Sequence, residues 1–241
     1  MNEPPFEIDP LYANRRLQPF FETAGRLHLP GILTDAGAER LHGALSRTTV
    51  WTRSTLGRGT PIDVPTEALE QATDAEQAAF AQAGHVEARD GFHYMFDSYR
   101  ISELIESGVV VDPDLSAFYD WLNSEPFLAF ARRLSGLDDL AYVDAQATRY
   151  LPGHYLNVHD DEKAGAGRKL AYVLNLTARW RPDWGGLLAF TDAEGHVSEA
   201  YAPVFNGLNI FRVPQSHMVT HIAPFAGQPR LSITGWIRSH H

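Results

Sequence analysis

The sequence predicts an α+β fold in which N-terminal helices cover one outer face of a β-sandwich or jelly roll. Helix signals dominate up to about residue 140, whereas after about Ala141 the chain changes to short alternating runs broken by Gly, Pro, Asn and Asp. Seven or eight such runs in about 100 residues are typical of a sandwich or jelly roll. We therefore expect one domain over residues 1–241, with a helical part to about 140 and a β core over about 141–238.

The N-terminal part begins with a predicted short strand at 27–33 (LHLPGIL). Four predicted helices follow, and each starts after a residue that commonly caps a helix: Thr34, Thr73, Asp112 and Ser124. The second of these carries the spacing of a capping box with Glu76, and we expect it to stop at Gly84. Apolar spacing on these helices indicates core packing.

The segment 51–65 (WTRSTLGRGTPIDVP) has no periodicity and is rich in Thr, Gly, Arg and Pro. This composition predicts a long loop, and long loops in compact domains are often lids or binding elements. Together with residues 92–99, this segment is predicted to form a large, mobile lid.

The β core is predicted from runs with period-2 alternation. They are QATRYL at 146–151, HYLNVH at 154–159, RKLAYVLNL at 168–176, GLLAFT at 186–191, LNIFRV at 208–213, HMVTHIA at 217–223 and RLSITGWI at 230–237.

Composition excludes several classes of function. The 20 basic and 30 acidic residues give a net charge of −10, which argues against a nucleic-acid partner. The chain has no cysteine, so a metal must bind to histidine, carboxylate or backbone oxygen. The start, MNEPPFEIDPLYANRR, lacks the order of a signal peptide, and no run of about 18 apolar residues offers a membrane span, so we expect a cytoplasmic protein without a membrane partner.

The run HYLNVHDD carries the first candidate metal ligands. Alternation places Tyr155, Asn157 and His159 on one face of a strand, with Asp161 following on the same side. A His-x-Asp pair with a distant second histidine makes the two-histidine, one-carboxylate triad of non-haem iron sites. Taken alone the tripeptide is a weak signal, since it also occurs as a surface hydrogen-bonded pair.

The last predicted strand carries a candidate anion-binding residue. Alternation places Arg230, Ser232, Thr234 and Trp236 on one face. A guanidinium inside a barrel needs an anion, and it can bind a carboxylate through two parallel hydrogen bonds, to which Ser232 could add a third donor. The alternative is an ordinary salt bridge at the rim.

From about Tyr150 to Trp236 the chain resembles the double-stranded β-helix oxygenases of the prolyl hydroxylase group. The resemblance rests on YLPGHYLNVHDD, RKLAYVLNLT, WGGLLAFTD and RLSITGW in this order, and it is nearest to the ribosomal-protein prolyl hydroxylases. The ribosomal enzymes look to carry a second β-helix domain, which we expect 241 residues to be too few to hold, so the resemblance does not carry over their substrate.

The resemblance implies a double-stranded β-helix of the cupin-like jelly-roll type. It further implies Fe(II) as the metal, 2-oxoglutarate as co-substrate, O₂, and ascorbate as a supporting reductant. His159 and Asp161 match the first two iron ligands, Arg230 matches the residue that binds the distal carboxylate of 2-oxoglutarate, and Tyr150 matches a tyrosine that contacts the co-substrate.

Two histidines compete for the third ligand position, because four strand residues place His217 and His221 about 13 Å apart. His221 has a nine-residue step to Arg230, as in the hypoxia-sensing enzymes. His217 stands in SHMV and lies nine residues beyond Leu208, as in related bacterial oxygenases. We favour His217.

The predicted reaction is hydroxylation of an unactivated C–H bond, with a prolyl residue of a protein or peptide as the expected target. The same chemistry on a free amino acid or other small molecule is one alternative, and a non-catalytic cupin-like binding module is another. The shape of the site would separate them: a surface groove favours a peptide, a closed pocket a metabolite, and a filled barrel the binding module.

We expect four histidines to lie outside the site as solvated or hydrogen-bonded residues: His85, His93, His154 and His196.

Overall fold

The structure, a computed structural model, describes residues 6–13 and 15–240. Its helices are α1 (Pro10–Ala13), α2 (Gln18–Ala24), α3 (Asp35–Arg47), α4 (Thr66–Glu70), α5 (Asp74–Asp90), α6 (Ile101–Glu106), α7 (Pro113–Leu122) and α8 (Glu125–Ser135). Its strands are β1 (Arg26–Pro30), β2 (Thr52–Gly57), β3 (Thr60–Pro65), β4 (Tyr94–Tyr99), β5 (Tyr142–Val143), β6 (Gln146–Tyr150), β7 (Tyr155–His159), β8 (Arg168–Asn175), β9 (Leu188–Thr191), β10 (Val197–Tyr201), β11 (Gly207–Arg212), β12 (His217–Val219) and β13 (Arg230–Arg238).

The strands form one antiparallel sheet that curls into a nearly closed barrel. Its order is β1-β11-β8-β13-β6-β4-β7-β12-β9-β10, with β2 and β3 added beside β4 and with β5 beside β13. The two ends approach each other where Arg26 on β1 contacts Glu199 on β10, with 2.5 Å between Nε and Oε2. The predicted double-stranded β-helix is confirmed.

The helices cover one outer face of this barrel, as predicted. One apolar core contains the buried side of α3, α7 and α8 together with the outward side of β8, β11 and β13. The helix ends follow the sequence signals: the Thr34 side chain accepts from the backbone N–H of Gly37, and Gly136 ends α8 in the left-handed conformation at φ 72°.

The prediction of a loop over 51–65 was wrong. These residues form the hairpin β2–β3, joined at Arg58 and Gly59, which both have positive φ. A tight two-residue connection of this kind is a hairpin signal. The second part of the predicted lid is also a strand, because β4 pairs with β2, β6 and β7 inside the sheet.

Other boundaries differ from the predicted ones. The capping box of Thr73 and Glu76 is present, but α5 continues past Gly84 to Asp90, since a glycine inside a helix is tolerated. Strands β5 and β10 were not predicted, and the sheet takes β1 to β4 from the part of the chain that the sequence predicts to be mainly helical. Among the described residues, no helix is both long enough and apolar enough to cross a membrane.

Candidate active site

A cavity of about 520 Å³ lies inside the barrel. The inward side chains of β4, β6, β7, β8, β12 and β13 line it. It contains every residue that the sequence analysis favoured for metal or co-substrate binding: Tyr150, His159, Asp161, His217, Arg230 and Ser232. The barrel is therefore not filled by its own side chains.

A β-bulge in β7 sets the direction of His159. His217 on β12 pairs with His159, whereas Val219 pairs with Leu156, so the two residues 157–158 of β7 oppose the single residue Met218 of β12. Leu156 and His159 consequently both face the cavity. The predicted shared face of Tyr155, Asn157 and His159 was wrong, because strict alternation does not continue through a bulge.

The chain turns sharply after β7 and brings Asp161 back beneath His159. Asp161 has φ 66°, in the left-handed region that aspartate adopts more readily than most residues. The guanidinium of Arg168 donates to the Asp161 carbonyl oxygen at 3.0 Å and holds this turn. The Asp161 carboxylate is 11% exposed, so it points inward.

Three potential metal-ligand atoms converge in the cavity. Asp161 Oδ1 lies 3.6 Å from His159 Nε2, and Asp161 Oδ2 lies 3.4 Å from His217 Nε2. One ligand atom from each residue falls within 4.8 Å of the others, and this is the one such group of three found in the described part of the chain. The spacing leaves room for an ion between the three side chains.

Backbone carbonyls fix both imidazole rings in the form that a metal needs. Nδ1 of His159 lies 2.9 Å from the carbonyl oxygen of Asn157, and Nδ1 of His217 lies 2.7 Å from that of Gln215. Each Nδ1–H therefore donates to a carbonyl, which leaves the Nε2 lone pair directed at the cavity. Burial, together with a smaller contribution from the neighbouring His159, lowers the pKa of His217 to about 4, so this ring is neutral near pH 7.

His221 lies away from these atoms. Strand β12 ends at Val219, so the two histidines are not on one continuous strand. The exposed His221 ring lies 5.9 Å from the His85 ring on α5 and 6.0 Å from the Tyr155 ring. His85, Tyr155 and His221 are all absent from the lining of the active-site cavity.

Arg230 is buried in the same cavity without a carboxylate partner. Its exposed fraction is 2%, and its contacts are neutral: Nη1 donates to Ser232 Oγ at 3.2 Å and Nη2 to Asn175 Oδ1 at 3.3 Å. Nε has no hydrogen-bond partner among the described residues. Burial lowers the pKa of Arg230, because its charged form loses water without gaining an anionic partner. An anion bound here would supply that partner through a charge-assisted contact.

Neighbouring side chains shape the pocket around Arg230. The Tyr150 ring stacks on Phe96 at 5.2 Å, and the Arg230 guanidinium lies 5.2 Å from the same Tyr150 ring. Thr148 and Ser232 share a hydrogen bond of 2.7 Å. Sequence reasoning missed Asn175 and Thr148; both lie opposite Ser232 in the strand register, which only the pairing of β6, β8 and β13 reveals.

The opposite end of the cavity carries an aromatic and charged wall. The Trp236 indole lies beneath Arg168, whose Cζ is 3.4 Å from the ring centroid, and Asp144 pairs with Arg238. Alternation predicted that Trp236 shares a strand face with Arg230, and both residues line the cavity. Sequence reasoning gave no role to Arg168, although its guanidinium contacts the backbone of the candidate metal ligand Asp161.

The residues present fit Fe(II) and 2-oxoglutarate. Two imidazoles and one carboxylate, with no thiolate, are the donor set of non-haem iron sites with open positions. The unpartnered Arg230 in the same cavity fits the distal carboxylate of a dicarboxylic acid.

Fold and site together define a class: a jelly roll in which two histidines and one carboxylate converge inside the barrel beside a buried arginine. Residues 145–238 match the family described as the 2OG-Fe(II) oxygenase superfamily. This segment contains the three converging residues and Arg230. This match confirms the resemblance found in the sequence.

A curated relative is the prolyl 3-hydroxylase OGFOD1 of Mus musculus, which is 31% identical over 153 residues. The match covers 60% of this chain and 27% of the relative, so the chain spans about a quarter of that protein's length.

Two solved structures share the fold. A Pseudomonas putida prolyl-4-hydroxylase superposes with a TM-score of 0.59 at 21% identity, covering 92% of this chain and 96% of the other. A prolyl hydroxylase of Trichoplax adhaerens, solved with a peptide fragment of the hypoxia inducible factor oxygen degradation domain, gives 0.62 at 17% identity, covering 94% and 89%.

Proposed function

We propose that this protein is an Fe(II)- and 2-oxoglutarate-dependent dioxygenase that hydroxylates a prolyl residue of a protein or peptide and releases succinate and CO₂. The observation that carries the proposal is the convergence of His159, Asp161 and His217 within one cavity that also holds the unpaired cation of Arg230. The prolyl hydroxylases among the relatives support the choice of substrate class.

In this proposal His159, Asp161 and His217 hold the metal, which supplies the activation of O₂ that amino-acid side chains cannot provide. Arg230 binds the distal carboxylate of 2-oxoglutarate, with Ser232 and Thr148 beside it as hydroxyl donors. The ring of Tyr150 closes the same end of the cavity. The chain's own contribution is geometry, because its side chains fix the metal and 2-oxoglutarate relative to the C–H bond that reacts.

Aromatic side chains form one edge of the cavity beside His159. The Phe92 side chain lines this cavity, is 50% exposed, and lies 5.7 Å from the His159 ring. Tyr94 continues the same aromatic edge, with its ring 5.9 Å from Phe92. An apolar edge beside the reacting centre suits a prolyl ring presented by an extended chain.

The substrate class can be tested by measuring succinate. The chain, loaded with Fe(II), 2-oxoglutarate and ascorbate, is incubated with a library of proline-containing peptides and, separately, with free amino acids. We expect succinate above the substrate-free background with a subset of peptides, together with the gain of one oxygen atom on proline by mass spectrometry. Asp161→Asn serves as the inactive control. Succinate formation with free amino acids alone would contradict the peptide assignment.

A small-molecule substrate is the second candidate, because a cavity of about 520 Å³ is also large enough for 2-oxoglutarate and a metabolite together. The same succinate measurement separates the two, since a metabolite would be turned over without any flanking peptide.

The role of Arg230 gives a separate prediction. Arg230→Lys keeps a positive charge but loses the planar fork, so we expect the affinity for 2-oxoglutarate to fall by about tenfold or more while the iron content is unchanged. Binding is measured by calorimetry on the anaerobic Fe(II) protein. Arg181→Lys, at an exposed arginine outside the cavity, is the matched control and should bind as the wild type does. Equal 2-oxoglutarate affinity in both variants would contradict the assignment.

A further inference from the structure

A second cavity, of about 310 Å³, lies on the opposite side of the sheet from the active site. Arg149 on β6 faces it, whereas the next residue, Tyr150, faces the active-site cavity. The same division occurs on β4, where Met95 lines the second cavity and Phe96 the first. Residues of α4 and α5, among them Leu69 and Phe80, form the other side.

Three adjacent strands place a row of charges beside this cavity. Arg53 on β2 pairs in register with Asp97 on β4, which pairs in register with Arg149 on β6. The Asp97 carboxylate is completely buried, and it accepts from Arg53 Nε at 2.5 Å and from Arg149 Nη2 at 2.8 Å. Two guanidiniums thus share one carboxylate, which leaves one positive charge in excess.

The guanidiniums keep donors for a ligand. Both line the cavity, with side chains 16% and 23% exposed. Within the described part of the chain, Arg53 contacts a hydrogen-bond acceptor only through Nε, so its two terminal nitrogens are unused. Arg149 also stacks on the Trp51 ring, with its Cζ 4.9 Å from the centroid, and this contact fixes its orientation.

His154 adds a third donor. Its Nδ1 accepts from the backbone N–H of Leu151 at 3.1 Å, so the proton of the neutral ring is on Nε2. Burial, together with a smaller contribution from the positive charge of Arg53, lowers the pKa of His154 to about 3, which keeps the ring neutral and an N–H donor at neutral pH. The side chain is 3% exposed and lines the cavity.

We propose that this second cavity binds a small anion that carries a carboxylate or phosphate group, held by Arg53, Arg149 and the Nε2–H of His154. Its volume falls at the lower end of small-molecule sites, and Leu69, Phe80 and Met95 supply an apolar wall for a short carbon chain. Guanidinium pairs are well suited to oxyanions.

Two exposed residues at the cavity allow a test that leaves the fold and the active site intact. Glu70 on α4 is the acidic residue among the lining side chains, and its charge opposes an anion. Gln77 on α5 also lines the cavity and is exposed. Glu67, exposed on the same helix as Glu70 but outside the lining, is the matched control for removal of one negative charge.

Inorganic phosphate and acetate are titrated separately into the full-length protein by calorimetry. For the probe that binds, we expect Glu70→Gln to tighten binding by about fivefold and Gln77→Glu to weaken it by about fivefold, with Glu67→Gln unchanged. Whichever of phosphate and acetate binds with the higher affinity identifies the anionic group that the site prefers.

None of the three substituted residues lines the active-site cavity, so their differences report the second cavity alone and do not depend on the proposed oxygenase activity. Absence of binding by either probe in both the wild type and Glu70→Gln would overturn the proposal. It would equally be overturned if Glu67→Gln and Glu70→Gln had the same affinity.

Discussion

Replacing Asp161 with Asn is expected to lower Fe(II) affinity by more than about 100-fold and to abolish succinate formation. Loss of a residue that only supports a metal ligand already costs about 10- to 100-fold in affinity, so loss of the carboxylate ligand should cost more. Asparagine is nearly the same size as aspartate and tolerates the left-handed backbone found at φ 66°. The variant should therefore fold, and the loss can be assigned to the charge and the ligand oxygen.

The chain offers a matched control in the preceding residue. Asp160 is exposed, and its side chain accepts only from the backbone N–H of Glu162 among the described residues. Asp160→Asn removes the same charge one position away and should leave iron content and turnover unchanged. Iron is measured by metal analysis after anaerobic loading and dialysis. Stoichiometric iron in the Asp161→Asn protein would contradict the assignment.

The local part of the site could be predicted from the sequence. His159, Asp161 and Arg230 each lie within a short run whose strand character is readable from alternation, and the resemblance connects these runs in order. Arg230 and Ser232 face one side because β13 continues regularly between them. Where a strand is regular, the period of two places its side chains correctly.

Irregular backbone geometry limited the prediction of the other strand faces and of the hairpin β2–β3. The bulge between His159 and Leu156 adds a residue to β7, so Tyr155 and Asn157 face away from the cavity. The hairpin β2–β3 was missed because prolines and threonines obscure its alternation, and its outer strand is almost entirely exposed. No apolar pattern marks a strand that buries neither face.

Cross-strand register is not readable from one sequence. Asn175 and Thr148 enter the Arg230 pocket from strands β8 and β6 that flank β13. The row of Arg53, Asp97 and Arg149 likewise joins positions that are more than 40 residues apart. Only the sheet brings these charges together, and no local spacing indicates it.

Replacing His217 is expected to remove iron, whereas replacing His221 is expected to leave it bound. His217 Nε2 lies 3.4 Å from Asp161 Oδ2, and its ring lies 4.1 Å from that of His159. The exposed His221 instead neighbours His85 and lies outside the cavity. Loss of His217 leaves two ligands, so we expect Fe(II) affinity to fall by more than about 100-fold.

The His217 site needs a variant that keeps the core packed. The ring is buried, with its centroid 4.6 Å from that of Phe211, and His217→Ala would leave a cavity that costs about 2 kcal/mol or more of stability. His217→Gln keeps most of the volume and is made beside it, with His221→Gln as the exposed counterpart. Thermal melting of each protein verifies folding. Iron content then decides the third ligand: full iron in His217→Gln together with loss of iron in His221→Gln would transfer the assignment to His221.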